Sequence, residues 1–167
     1  MSWYLLYTRP RQEKVAHQNL LQQGYESVLP LLTTEKIQQG RLVITEEPLF
    51  PRYLFVRLEQ DLSGKSWTPL RSTRGVSRLV TFGNQPARVE DRLVEALQVR
   101  STRQQQQPQR LFSPGDAVTI DAGPFKGLEA IYQMTDGEQR ALVLIELLSK
   151  PTPLRIPPAH LSRTKTL

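Results

Sequence analysis

The sequence contains no cysteine and only two histidines, His17 and His160. Without thiols the chain has no disulfide, no cysteine nucleophile and no thiolate ligand for a metal, which is consistent with a reducing cytoplasm. The two histidines fall in different predicted domains, so they are not expected to bind a metal together. We therefore expect neither a metal nor a cofactor.

Motifs typical of catalysis are also missing. The glycine-rich segment 123–127 (GPFKG) lacks the spacing of a phosphate-binding loop, and no helical pattern begins at its end. No Gly-x-Ser-x-Gly elbow is present, and the acidic residues are scattered along the chain. The sequence predicts a protein that is not an enzyme, and an enzyme remains a remote alternative.

Long apolar runs are absent, whereas positive charge is in excess. The apolar start, Met1–Tyr7, is too short for a signal peptide or a membrane span, so we expect a soluble, cytoplasmic protein with no membrane partner. The chain carries 22 Lys+Arg against 16 Asp+Glu, a net charge of +6. Arginine dominates, which favours contacts with phosphate groups.

The strongest strand signal lies in segment 47–58, where Pro48 and Pro51 precede the alternating run Tyr53–Leu58. Proline belongs at a strand entrance, and two largely apolar faces predict a central strand with helices behind it and an aromatic surface in front. A basic turn, 72–78 (STRGVSR), precedes the next apolar run. Aromatic residues beside arginines on one sheet suggest a surface that meets both a protein and a nucleic acid. The simpler alternatives are core packing for the aromatic residues and a solvated rim for the arginines.

The first 100 residues alternate between strand and helix patterns, with helices predicted at Gln12–Gln23, around Ser66–Ser72 and at Val89–Val99. No apolar residue occurs from Arg100 to Arg110, so this stretch cannot bury surface. We expect a domain at 1–100, a flexible linker at 101–110 and a small domain at 111–167. Further strands of the first domain are predicted at Trp3–Tyr7, Ser27–Ile37, Leu42–Thr45, Phe50–Leu58 and Leu79–Phe82.

The second domain is predicted to be a small β-barrel, because short apolar runs alternate with turn signals such as Asp136-Gly137. One run, Ala141–Leu148, is too uniformly apolar for a strand with a wet outer face, and its composition also suits a helix. The prolines at 124, 151 and 153 oppose a long helix. The barrel is favoured for the isolated domain, and a helical form docked on the first domain remains open. The strands of the barrel are predicted at Ala117–Ile120, Leu128–Tyr132, Ala141–Leu148 and Leu154–Ile156.

Three N-terminal segments resemble the NusG family of transcription elongation factors: 3–7 (WYLLY), 47–56 (EPLFPRYLFV) and 73–83 (TRGVSRLVTFG). Two C-terminal segments, 114–118 (PGDAV) and 123–127 (GPFKG), look like the KOW module of the same proteins. The basic turn after the first strand, together with 32–37 (LTTEKI) and 46–51 (EEPLFP), is most similar to the specialised RfaH-type paralogues. Ser66-Trp67-Thr68 departs from the His-Thr-Thr sequence with which RfaH touches the polymerase β subunit.

The resemblance implies an α+β fold: an NGN domain with a ferredoxin-like antiparallel sheet flanked by helices, and a KOW domain. It implies a monomeric elongation and antitermination factor that binds the β and β′ subunits of RNA polymerase and the non-template DNA strand. Through its C-terminal domain the factor would also contact a small-subunit ribosomal protein. The polymerase-binding residues would be Tyr7, Phe50, Pro51, Tyr53, Phe82, Ser66 and Thr68. The DNA-binding residues would be Arg9, Arg11, Arg71, Thr73 and Arg74.

A pair such as Glu47 with Arg140 could hold the C-terminal domain over Tyr7, Phe50 and Tyr53 and so shield the polymerase-binding surface. Two further readings stay open. One is a general NusG-type factor that needs no DNA signal, and the other is a ribosome-associated protein built on the KOW module.

Overall fold

The computed structural model describes residues 1–59, 68–106 and 128–149. The strands are β1 (Ser2–Thr8), β2 (Glu26–Val28), β3 (Leu31–Gln38), β4 (Arg41–Pro48), β5 (Tyr53–Leu58), β6 (Val76–Leu79), β7 (Thr81–Phe82), β8 (Gln85–Pro86) and β9 (Arg88–Val89). The helices are α1 (Glu13–Gln22), α2 (Thr68–Arg71), α3 (Asp91–Gln106), α4 (Leu128–Gln133) and α5 (Gly137–Ser149).

The main sheet is antiparallel, with strand order β2-β5-β1-β6 and with β9 also paired to β1. Strand β5 lies between β2 and β1, so the prediction that it is central is confirmed. The β1–β5 register runs from Ser2 opposite Leu58 to Tyr7 opposite Tyr53, which sets these two aromatic side chains side by side. An α+β fold with an antiparallel sheet and flanking helices, as expected, is what the structure shows.

The two faces of the sheet bury two separate apolar cores because side chains alternate along β1 and β5. On the back, Tyr4, Leu6 and Val56 pack with Ala16 and Leu20 of α1. On the front, the core includes Trp3, Leu5 and Phe55 of the sheet and Leu93, Val94 and Leu97 of α3.

The C-terminal helices α4 and α5 pack into the front core and cover the sheet. Leu128, Ile131 and Tyr132 come from α4, and Val143, Leu144 and Leu147 come from α5. The strands predicted at Leu128–Tyr132 and Ala141–Leu148, and the hairpin turn at Asp136-Gly137, are therefore wrong for this structure. The docked helical alternative is the one observed, because the front of the sheet offers these apolar residues a partner that an isolated segment lacks.

Strands β3 and β4 form a long hairpin beside the main sheet, paired from Leu31 opposite Pro48 to Gln38 opposite Arg41. The turn carries positive φ values at Gln39 (52°) and Gly40 (77°), and the predicted hairpin turn is confirmed.

The helix predicted at Val89–Val99 extends further along the chain, into the segment 101–110 that was expected to be a linker. Helix α3 starts at Asp91, after β9, and its backbone continues to Gln106. Residues 100–106 include no apolar residue, yet they continue the helix because arginine and glutamine have good helix propensity. The preceding turns of α3, which are packed in the front core, also support this extension. The strands predicted at Ala117–Ile120 and Leu154–Ile156, and the segments resembling a KOW module, lie outside the described residues. Within the described ranges, no helix is long and apolar enough to cross a membrane.

We predict that Gly75→Ala destabilises the fold more than Gly40→Ala. Both glycines have positive φ (92° and 77°), but a Cβ at Gly75 would lie 2.8 Å from the backbone nitrogen of Ala16, whereas Gly40 faces open space. We expect Gly40→Ala to cost about 1–2 kcal/mol from backbone strain and Gly75→Ala clearly more, measured by urea unfolding of the full chain. Equal losses of unfolding free energy in the two variants would show that the packing of helix α1 does not depend on the close approach of Gly75 to Ala16.

Candidate functional site

The aromatic residues singled out from the sequence gather on the front of the sheet, and they differ in depth. Phe50 is 1% exposed and meets Phe55 edge to face, with ring centroids 6.4 Å apart. Tyr7 and Tyr53 are half-buried neighbours with centroids 5.1 Å apart, and Phe82 is half-buried against the same core. The structure therefore brings these aromatic side chains together, with Phe50 deepest.

The C-terminal helices cover part of this aromatic group through a close backbone contact. A Cβ added to Gly137, at the start of α5, would lie 2.6 Å from Cγ of Pro51. Only glycine lets the first turn of α5 approach this proline without a shift. Pro51 is thus a contact between the two parts of the chain in this structure.

Arg140 of α5 is a fully buried cation that links the helix to the end of β4. Its Nε donates to the carbonyl of Leu49 at 2.7 Å, and Nη1 donates to the carbonyl of Met134 at 2.7 Å. Nη2 donates to Oε2 of Glu47 at 3.3 Å and to the carbonyl of Pro48 at 3.4 Å. Burial lowers the pKa of Arg140, and the charge and hydrogen bond of Glu47 oppose this shift. The structure thus places the two residues of the suggested interdomain pair in direct contact.

A second polar link joins α3 to α4. Nε of Arg100 lies 2.9 Å from Oε1 of Glu129, and Nη2 donates to Oε2 at 3.0 Å. The same guanidinium lies 4.6 Å from the ring centroid of Tyr132. Sequence reasoning missed this contact because it assigned Glu129 and Tyr132 to a strand and ended the first domain at Arg100. Glu129 and Tyr132 are three residues apart, so on a helix they lie on one face, and this spacing could have indicated the contact.

The basic residues lie at one edge of the sheet, where two turns meet. The backbone N–H of Arg9 donates to the carbonyl of Gly75 at 2.9 Å, so the turn after β1 touches the turn before β6. The side chains of Arg9, Arg11, Arg71 and Arg74 are exposed. Among the described residues, none of these four arginines forms an ion pair. We refer to the four as the basic rim.

Thr73 does not belong to this rim, contrary to the sequence-based expectation. Its side chain is 4% exposed, donates to the carbonyl of Pro69 at 3.0 Å and accepts from Nε2 of Gln23 at 2.9 Å. These bonds fix the turn that carries Arg74, so Thr73 positions the rim and does not face outward. Thr68 begins α2, and Ser66 lies outside the described residues.

Two further arginines, neither among the predicted site residues, lie over Tyr7. The guanidinium carbons of Arg52 and Arg78 are 4.1 and 4.9 Å from the ring centroid. Arg52 has a positive φ of 73°; its backbone N–H donates to Oε2 of Glu13 at 2.9 Å, and its Nε donates to the carbonyl of Thr8 at 3.1 Å. Burial, followed by the nearby phenol of Tyr7, raises the pKa of Tyr53, while the two arginines oppose the shift.

Comparisons with known proteins identify the family of the chain. The family model described as "Transcription termination factor nusG" matches residues 1–98. The chain belongs to the NusG family. Curated relatives named transcription termination/antitermination protein NusG include those of Helicobacter pylori (27% identical, covering 93% of this chain and 94% of the relative) and Neisseria meningitidis (24%, covering 87% and 83%). The relative from Escherichia coli O6:H1 is 26% identical and covers 78% of this chain and 74% of its own length.

A solved structure titled "Domain interaction in Thermotoga maritima NusG" aligns with a TM-score of 0.47 at 22% identity, covering 75% of this chain and 76% of that chain. The family model and the names of the curated relatives describe the NusG family as one of transcription termination and antitermination factors. Proteins of this family are transcription factors and not enzymes.

We predict that Gly137→Ala loosens the docked helices. Alanine improves intrinsic helix propensity, yet its Cβ would overlap Pro51, so the docked form should lose about 1–3 kcal/mol. Hydrogen exchange of the α5 amides should then be roughly 5- to 150-fold faster, measured by mass spectrometry of the full chain. Gln139→Ala, at an exposed position on the same helix, is the matched control and should leave exchange unchanged or slower. Faster exchange in both variants, or in neither, would contradict the contact.

We predict a measurable coupling between Arg100 and Glu129. In a double-mutant cycle of Arg100→Gln and Glu129→Gln, protection of the α4 amides should report a coupling of about 0.5–1.5 kcal/mol, because the pair is two-point and partly buried. The exposed pair Lys14–Glu46, with one contact at 3.3 Å, is the control. Its own double-mutant cycle should give a smaller coupling energy. A coupling for Arg100–Glu129 no larger than that of the control would show that the contact is only a surface pair.

Proposed function

We propose that this NusG-family protein is an RfaH-type transcription elongation and antitermination factor that binds RNA polymerase and the non-template DNA strand. It would suppress pausing and termination at sites marked by a DNA signal. The observation that carries this proposal is the cover of α4 and α5 on the aromatic front of the sheet. A factor that loads without a signal has no evident need for such a cover.

The proposed polymerase-binding surface comprises Tyr7, Phe50, Pro51, Tyr53 and Phe82. Large, rigid aromatic side chains on a stable sheet are suitable anchors for a helical partner, and we propose the coiled-coil clamp helices of the β′ subunit. Thr68 and Ser66 would contact the β subunit. Closing the cleft between the two subunits would oppose pausing.

The cover makes loading conditional in this proposal. Helices α4 and α5 bury the same front core that includes Phe50, and Gly137 lies directly against Pro51. Polymerase can reach this surface only after the helices leave, so its contacts must offset the free energy of undocking. At a DNA signal, additional contacts between the basic rim and the exposed DNA strand would contribute the binding free energy that is needed to offset undocking. Arginine suits this role because it provides charge, paired hydrogen bonds and stacking on unpaired bases.

After release, the C-terminal segment would be free to fold as the barrel expected from its KOW-like sequence and to contact a small-subunit ribosomal protein. The division into domains at 1–100 and 111–167 belongs to the same proposal. The second candidate is a general NusG-type factor without a DNA signal, which the names of the curated relatives favour.

We predict that Gly137→Ala in the full chain binds bacterial core RNA polymerase more tightly than the unmodified chain does, in the absence of any DNA. If polymerase competes with the cover, a loss of about 1–3 kcal/mol in docking appears as roughly 5- to 150-fold tighter apparent binding. Gln139→Ala is the control and should bind as the unmodified chain does. Affinity can be measured by biolayer interferometry.

Equal affinities of Gly137→Ala and the unmodified chain, together with faster exchange of α5 in the variant, would show that the cover does not obstruct the polymerase site. The general NusG-type reading would then be preferred. Failure of all three chains to bind polymerase would contradict both readings.

A further inference from the structure

The two arginines over Tyr7 are not used by the proposed polymerase contact or by the basic rim. Arg52 comes from the turn before β5, and Arg78 comes from β6, directly opposite Tyr7 in the β1–β6 register. Both guanidinium groups therefore contact one half-buried ring from two different elements of the sheet.

Their charges are unopposed among the described residues. Neither Arg52 nor Arg78 forms an ion pair there, and the one hydrogen bond of the Arg52 guanidinium goes from Nε to a backbone carbonyl. Two cations held on one ring repel each other, so bound phosphate groups would relieve this repulsion.

Arg52 is also held in place at a cost in backbone strain. Its φ of 73° is rare for a residue with a long side chain, and it persists because the Glu13 carboxylate accepts the Arg52 N–H. The carbonyl of Thr8 then fixes the Arg52 guanidinium over Tyr7. Strain maintained by specific hydrogen bonds is typical of a pre-organised binding group.

The arrangement continues the basic rim along the sheet edge. Strand β6 is an edge strand; Arg74 lies in the turn that precedes it and Arg78 lies within it. Arg9 lies at the end of β1, two residues beyond Tyr7, and its backbone is bonded to Gly75. A strand of nucleic acid that follows this edge would meet Arg74 and then Arg78.

We propose that Arg52 and Arg78 form a second nucleic-acid-binding site, which takes phosphates of a single strand already held by the basic rim. The two guanidinium groups bind phosphate oxygens, and their packing on the Tyr7 ring holds them in place. This inference rests on the proposed function, since it extends the path of the same DNA strand. Continuity with the rim favours a nucleic acid over an acidic protein surface.

The test measures binding of the full chain to a fluorescent 12-nucleotide single-stranded DNA of mixed sequence, by anisotropy, between 50 and 200 mM KCl. The variant is Arg52→Asn with Arg78→Ser, because asparagine tolerates a positive φ and keeps the turn. The control is Arg41→Gln with Arg88→Gln, which removes the same charge from two exposed arginines elsewhere. We expect the variant to bind clearly more weakly than the control, and its slope of log K against log salt to fall by about 1.4, since each phosphate contact contributes about 0.7.

A rim variant, Arg9→Ala with Arg74→Ala, separates the two proposals. If the rim variant loses binding while Arg52→Asn with Arg78→Ser behaves like the control, this inference is overturned and the proposed DNA contact stands. If neither loses binding, both are overturned. If Arg52→Asn with Arg78→Ser keeps its affinity for DNA and loses affinity for core RNA polymerase, the pair is a protein contact, and the inference is again overturned.

Discussion

The docked arrangement depends on one buried cation. Arg140 can lie in the apolar interface because three carbonyl groups and the Glu47 carboxylate accept its hydrogen bonds. Desolvating a guanidinium is costly, so such a group adds little net stability but strongly disfavours any packing that leaves it without these acceptors. The acceptors come from Leu49, Pro48 and Glu47 at the end of β4, and from Met134 just after α4. The observed placement of α5 on the sheet satisfies Arg140 and also brings Gly137 against Pro51.

The same segment carries two structural preferences, and tertiary contacts decide between them. Residues 141–148 are apolar on nearly every side, which does not fit the wet outer face of a small barrel and suits a helix that packs on a broad surface. The front of the sheet supplies that surface through Trp3, Leu5, Phe50 and Phe55. If a partner occupied that surface, as proposed, the helices would lose the burial that stabilises them, and the cover would respond directly to competition for its binding surface.

Most of the N-terminal fold could be predicted from the sequence, because alternation in Tyr53–Leu58, the two prolines before it and the turn at Gly40 are local signals. The strands predicted at Leu128–Tyr132 and Ala141–Leu148 were wrong because the deciding contacts lie about 90 residues away in the chain, as between Arg140 and Leu49. The placement of the candidate site residues was predicted in part. The aromatic group and the basic turns do come together, whereas Thr73 is buried and hydrogen-bonded to Gln23 and Pro69, which no sequence spacing reveals. Arg52 was missed because its positive φ and its contact with Tyr7 exist only in three dimensions.

The Pro51-Arg52 turn connects the two surfaces of the molecule. Pro51 receives the first turn of α5, and the next residue, Arg52, exchanges backbone and side-chain hydrogen bonds with Thr8 at the base of the basic turn. Pro51 has a fixed φ and Arg52 is held in a strained one by Glu13, so this turn has few alternative shapes. A rigid turn cannot absorb a displacement on one side without moving the other. If the proposed nucleic-acid site is correct, a shift of Arg52 on binding would act on the contact between Pro51 and α5, and release of α5 would act on Arg52 in turn. Such reciprocity is required of any two linked binding equilibria, and it would give a DNA signal a physical route to the cover.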